Sequence, residues 1–180
     1  MAAIDIGSGA VTRTYSTGNG KTCVDLNNPA NGTGKITSFE FWFHATPGDA
    51  EGVKAGTFSG AGTDYTSRDV ETIGDVTAGS KQTFSGLDCS VTTGDFAGVY
   101  ASGGAIAHIN AGGLGYYHIV GDQFGTGEQT YTLDANSFIS IYGTGATPGW
   151  SGKIAGVTNP AMIGGVDVAN IQSVKGVVSA

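Results

Sequence analysis

The sequence predicts an all-β protein: a double-sheet β-sandwich with jelly-roll-like connections, followed by a short repeat-containing C-terminal β tail. The strongest evidence is the segment 35–45, KITSFEFWFHA, whose strict alternation places Phe39, Phe41 and Phe43 on one face. Three aromatic rings on one face need an apolar partner, so we expect a central strand packed on a second sheet. Glycine accounts for 32 of the 180 residues without a collagen period, which favours short strands and tight turns over helices.

The composition limits the partners. A chain of 180 residues can bury a core without disulfides. Its 8 basic and 15 acidic side chains give a net charge of −7, and no basic cluster interrupts the sequence. We therefore expect no nucleic-acid partner and no binding to anionic membranes. No apolar run is long enough for membrane insertion, and the N-terminus lacks a secretory signal. If the protein leaves the cell, we therefore expect another route, such as lysis.

Short strands and turns are predicted throughout the N-terminal half. Three strands come first, over residues 3–6, 11–16 and 22–26, and turn residues fill 27–34 before the Phe-rich strand. Segment 52–58 alternates and is predicted to form a hairpin with the Phe-rich strand. Segment 65–73 is largely polar, which indicates an edge strand or one with a face in water.

The remaining strands of the sandwich follow at regular spacing. A long strand over 81–91 directs Leu87, Cys89 and Val91 inward, and a turn leads into a strand over 96–101. Segments 105–109 and 115–120 flank a glycine-rich turn and are predicted to pair as a hairpin. Strands over 129–133 and 137–142 close the domain.

The character of the sequence changes after residue 143, which gives a sandwich domain (1–143), a linker (144–150) and a tail (151–180). A unit of a β-branched residue, a spacer, glycine and valine recurs at 154–157, 163–166 and 174–177, which indicates small stacked strand turns. So short a segment cannot bury its own apolar residues. We predict an oligomerisation or docking element formed by Ile154, Val157, Ile163, Val166, Val168, Ile171, Val174 and Val177.

No constellation of residues indicates catalysis, a metal or a cofactor. His108 and His118 lie symmetrically about Gly113 and would be cross-strand neighbours in the predicted hairpin, but their flanks supply no further ligand, so surface or interface histidines are expected. Glu40 and His44 would lie about 13 Å apart along one strand, too far for a direct catalytic pair. The acidic residues are scattered, and none of the common hydrolase, phosphate-binding or redox motifs occurs.

Two features leave alternatives open. Cys23 and Cys89 either form a disulfide or remain two separate thiols. Trp42 projects from the face opposite the phenylalanines, where it is either covered by a loop or subunit, or free to stack on a sugar. Tyr116 and Tyr117 are further candidates for such glycan stacking.

Several stretches resemble a family. NPANGTGKITSFEFWF, GVKAGTF, DYTSRDVETIGDVTAGSKQTFSGL, TTGDFAGVYASGG and KIAGVTNPAMIGGVDVANIQSVKGV look like a group of largely uncharacterised proteins of tailed bacteriophages. Members of that group are read as virion structural proteins, either head-decorating or tail-associated β-sandwiches. The resemblance implies a particle component located in the virion, assembled in the host cytoplasm and released by lysis. It carries over no functional residue.

These observations lead to a first hypothesis of a non-enzymatic structural subunit, a capsid decoration or a tail or fibre component, that self-assembles through its tail. Its partners would be other copies of itself and other virion proteins. The alternative is a lectin-like, carbohydrate-binding module that recognises a cell-surface glycan. A glycan-cleaving enzyme is a third hypothesis, which would need a pair of carboxylates facing each other across a cleft.

Overall fold

The computed structural model describes residues 2–148 and, beyond them, the backbone of four two-residue strands. The described residues form strands, turns and loops and no helix, which confirms the predicted all-β class. The sandwich strands are β1 Ala3–Ile6, β2 Tyr15–Ser16, β3 Lys21–Asp25, β4 Gly34–Trp42, β5 Ala50–Ala61, β6 Asp64–Val76, β7 Lys81–Val91, β8 Phe96–Ala101, β9 Ala107–Ile109, β10 Tyr116–Val120, β11 Gln129–Thr130, β12 Thr132–Asp134, β13 Phe138–Ile139 and β14 Ile141–Ala146. The tail strands are β15 Lys153–Ile154, β16 Val157–Thr158, β17 Met162–Ile163 and β18 Val166–Asp167.

The first layer is a four-stranded antiparallel sheet in the order β1-β14-β4-β7. The Phe-rich strand β4 is internal in this sheet, as predicted, and Phe39 and Phe41 are fully buried. Their rings pack on each other with centroids 6.1 Å apart. Burial of each ring stabilises the fold by roughly 1.5–3 kcal/mol, so this strand is a main source of the sandwich's stability.

The second layer is a seven-stranded sheet in the order β11-β6-β5-β8-β3-β10-β12. Its two end strands, β11 and β12, are separated in sequence by Tyr131 alone. One continuous segment therefore pairs with both edges of the sheet, and the layer closes nearly into a barrel. This closure protects both edges from pairing with other chains.

Two apolar cores result from this arrangement. The first lies between the layers and includes Ile6, Ile36, Phe39, Phe41, Val53, Cys89, Val99 and Ile141. The second lies inside the near-barrel and consists of Val24, Phe58, Tyr65, Tyr117, Phe124 and Tyr131. Strands of the second layer thus bury both faces: in β8, Val99 belongs to the first core, whereas Phe96 and Tyr100 pack on the second.

Two predicted hairpins are wrong. Strand β5 pairs with β6 and β8, not with β4, because it sends Val53 into one core and Phe58 into the other and so requires an internal position in the second layer. The segments around β9 and β10 do not pair either. β10 lies between β3 and β12, with Tyr116 and Tyr117 buried on opposite faces, whereas β9 belongs to a small sheet of order β13-β9-β2.

The two layers are joined edge to edge by carboxylates. Asp69 on β6 accepts a hydrogen bond from the Ser90 amide of β7 at 2.7 Å, and Glu71 accepts one from the Asp88 amide at 2.8 Å. These side chains occupy backbone donors of β7 that would otherwise form an open edge. The polar side chains of β6, which are evident in the sequence, therefore serve to join the two layers.

The C-terminal end of the sandwich lies beyond the predicted boundary at residue 143. Strand β14 pairs with β1 and β4 as far as Ala146, and the Thr147 amide donates to Ala2 O at 3.0 Å.

Within the described ranges, no helix has the length and apolarity required to cross a bilayer.

Candidate functional sites

The first two tail repeats coincide with two β-hairpins. Strand β15 pairs with β16 so that Ile154 lies opposite Val157, and β17 pairs with β18 so that Ile163 lies opposite Val166. Both of these units thus place their β-branched residue and their valine opposite each other, with two residues between them in the sequence. Only the backbone of these four residues is described, and the other predicted oligomerisation residues, Val168, Ile171, Val174 and Val177, lie outside the described part of the chain.

The three candidate stacking residues occupy different environments. Tyr116 and Tyr117 are only 3% and 8% exposed, because β10 is an internal strand with a core on each side. Neither ring can stack on a ligand, so both are removed from the predicted glycan-stacking set. Trp42 is half-buried and lies on the solvent side of the four-stranded sheet, opposite Lys81.

The histidines predicted as cross-strand neighbours belong to different sheets. His108 lies opposite Tyr15 and Ile139, whereas His118 lies opposite Cys23 and Thr132. The Tyr116 ring has its centroid 5.7 Å from that of His108 and 5.8 Å from that of His118. Burial lowers the pKa of both imidazoles.

The packing of the Tyr116 ring against His108 joins the small sheet to the near-barrel. The Tyr116 hydroxyl donates to Asp134 Oδ2 at 2.9 Å, which fixes the ring in place. Within the part of the chain that the structure describes, no three His, Cys, Asp or Glu side chains are grouped closely enough to hold a metal ion.

A buried polar cluster near the N-terminus was not identified from the sequence. Asp25 is fully buried, and its Oδ1 accepts hydrogen bonds from the amide and side-chain nitrogens of Asn27 at 3.2 and 2.6 Å. Burial raises the pKa of this carboxyl. Nearby, the Arg13 Nε donates to Ser140 Oγ at 2.8 Å, and its guanidinium lies over the Phe138 ring at 5.4 Å.

The solvent side of the four-stranded sheet forms a regular polar grid, which we call the outer face. Three of its rows follow from the strand register: Asp5–Thr144–Ser38–Ser85, then Tyr142–Glu40–Thr83, then Trp42–Lys81. Lys81 Nζ contacts Glu40 Oε1 at 3.1 Å, and the Tyr142 hydroxyl donates to Asp5 Oδ2 at 3.4 Å. The alternation of β4 places Trp42 and Glu40 on this face, whereas Tyr142 and Asp5 reach it only through non-local pairing and have no such local signal.

The cysteines are separate, buried free thiols, so the disulfide alternative is not realised. Burial raises the pKa of each thiol to about 12. Cys23 lines a cleft of about 10 Å³ together with Lys21, Thr17 and Phe43. This volume is below the roughly 300–1,000 Å³ typical of small-molecule sites.

Comparisons with protein-family models and with curated protein sequences found no match to this chain.

Proposed function

We propose that the chain is a non-enzymatic structural subunit of a bacteriophage virion or a similar particle, and that it self-assembles through its C-terminal tail. The observation that carries the proposal is the register of the tail hairpins. In both, the repeated apolar positions lie opposite each other, Ile154 with Val157 and Ile163 with Val166.

Such hairpins need a partner. A hairpin of two two-residue strands is not stable in water by itself, and three or more strands with an apolar face are normally required. In repeat architectures, neighbouring units supply this face to each other by stacking. The sequence repeats the unit a third time at 174–177, which supports an array built from several copies of the unit.

The sandwich supports the same role by a different argument. It fills both of its cores with its own side chains, and it protects the edges of its second layer by closing them. A closed, weakly charged sandwich that carries a repetitive apolar tail is a suitable building block, with contact between copies assigned to the tail. Location in a virion, with other virion proteins as partners, belongs to the proposal and rests on the sequence resemblance.

The proposal is tested by polar substitution of the hairpin valines. The double variant Val157→Thr, Val166→Thr keeps β-branched side chains of nearly the same shape but removes apolar surface. We expect it to lower the solution mass of the protein in light scattering coupled to size-exclusion chromatography. The matched control is Val120→Thr, since Val120 is 74% exposed on the sandwich. Assembly that survives the double variant, or is lost equally in the control, would contradict the proposal.

A further inference from the structure

We infer that the outer face of the four-stranded sheet is a binding surface for a neutral carbohydrate, with Trp42 and Tyr142 as its aromatic contacts. This inference is independent of the proposed assembly role. It concerns only the described sandwich. Tyr142, which reaches solvent, takes the stacking role that was predicted for the buried Tyr116 and Tyr117.

The two aromatic residues are placed side by side by the strand register. Tyr142 lies opposite Glu40, and Trp42 follows Glu40 by two residues on the same strand and the same face. Diagonal neighbours of this kind are about 7–8 Å apart at Cα, which is within reach of aromatic side chains. Both residues are half-buried, so each ring is supported by the sheet and still reaches solvent. A flat sheet with two adjacent supported rings can bind the apolar faces of sugar rings.

The two carboxylates near the rings already have hydrogen-bond partners on the outer face. Glu40 accepts hydrogen bonds from Lys81 Nζ at 3.1 and 3.2 Å, and Asp5 accepts one from the Tyr142 hydroxyl at 3.4 Å. An ionised carboxylate has about four acceptor positions, so both retain acceptors for sugar hydroxyls. Since these side chains already contact each other, less conformational entropy is lost on binding.

Charge favours a neutral ligand. The three rows named above carry two carboxylates, Asp5 and Glu40, and one amine, Lys81, a net charge of −1, and the whole chain carries −7. Anionic polymers would be repelled by both. A neutral glycan has no such penalty, and it can use the hydroxyls of Ser38, Thr83, Ser85 and Thr144 on the same face.

The chemistry of the face fits a sugar better than a protein partner. The exposed large hydrophobic residues of the described sandwich all lie outside the grid, at Val11, Tyr15, Val70, Leu114, Val120 and Leu133. A protein docking on the outer face would therefore bury little aliphatic surface. The centre of an ordinary protein–protein interface is more apolar than this face. Sugars combine apolar ring faces with hydroxyl edges, and the grid presents complementary rings and hydroxyls.

The test is affinity electrophoresis of the full chain in native gels. The gels contain one of five soluble neutral polysaccharides, namely hydroxyethylcellulose, arabinoxylan, galactomannan, dextran or starch, or alginate as the anionic comparison. We expect retardation by at least one neutral polymer and none by alginate. Trp42→Ala and Tyr142→Ala should each weaken that binding about tenfold or more, the loss expected for an aromatic anchor. Tyr15→Ala is the matched control, because Tyr15 is 51% exposed outside the grid.

A second readout does not require removal of either ring. The sequence contains two tryptophans, so in a Trp150→Phe variant the emission reports Trp42 alone. The polysaccharide that retards the protein should change that emission, and alginate should not. The inference is overturned if no neutral polymer retards the full chain, if alginate alone does, if Tyr15→Ala weakens binding as much as the grid variants, or if Trp42 emission does not respond.

Discussion

Two buried tyrosines provide a matched test of the described packing. Tyr116 and Tyr131 are each 3% exposed, but their hydroxyls differ. The Tyr116 hydroxyl donates to the Asp134 carboxylate at 2.9 Å, whereas the Tyr131 hydroxyl, inside the near-barrel, has no hydrogen-bond partner among the described residues. The same substitution, tyrosine to phenylalanine, should therefore change stability in opposite directions at the two positions.

The magnitudes follow from the two environments. Tyr116→Phe removes a hydrogen bond to a charged acceptor, which costs roughly 1.5–3 kcal/mol of unfolding free energy. Tyr131→Phe removes a buried hydroxyl without a partner and should stabilise the protein by about 1 kcal/mol. Since 1 kcal/mol corresponds to about 2–4 °C for a domain of this size, the two melting temperatures should differ by at least about 5 °C.

Urea unfolding followed by intrinsic fluorescence measures both free energies, and calorimetry gives the melting temperatures. The ring stays in place in both variants, so packing is matched and the hydroxyl is the single difference. If Tyr131→Phe lowers the unfolding free energy by 1 kcal/mol or more, the Tyr131 hydroxyl makes a hydrogen bond that is absent from the described barrel core, and the prediction is wrong. If Tyr116→Phe is neutral, the Asp134 contact contributes nothing.

Three further predictions concern stability and reactivity. Burial alone would raise the pKa of Asp69, but hydrogen bonds from the backbone of β7 hold this pKa below its ordinary value. The stabilisation that the Asp69 carboxylate gives the fold is therefore present above the unfolded pKa of about 3.9 and is lost as pH falls through the folded pKa. Asp69→Asn should lower the urea midpoint at pH 7 and flatten its decline in acid; an unchanged acid limb would count against this contact. A Cβ at Gly98 would overlap the Phe58 ring, so Gly98→Ala should destabilise the fold by about 1–3 kcal/mol and be partly rescued by Phe58→Leu; strictly additive effects would refute the clash. Cys23 and Cys89 should resist iodoacetamide at pH 8 until the protein is unfolded, as followed by mass spectrometry, whereas rapid native labelling would contradict their burial.

Local pattern was enough to predict the strands but not how they pair. The alternation of Phe39, Phe41 and Phe43, and the bounds of β7 and β8, follow from residues close together in sequence and match the structure. Pairing depends on which faces are buried in the final assembly of sheets. Strand β5 alternates like a hairpin partner of β4, and its need for apolar contacts on both faces becomes evident only once the second core exists.

Non-local pairing also determines which site residues the sequence could predict. Trp42 was identified because its neighbours in sequence set its face, whereas Tyr142 and Asp5 join it through pairings that span most of the chain. Tyr116 and Tyr117 were predicted as candidates for glycan stacking, a role that requires exposed rings. A strand with a core on each side buries both, and the sequence contains no signal for the near-barrel that creates the second core.

The most direct test of the assembly proposal is the solution mass of the full chain compared with that of a chain ending at residue 150, measured by sedimentation velocity over a range of concentrations. The proposal predicts a multi-copy species for the full chain and a folded monomer for the shortened one. Equal masses for the two chains would contradict it.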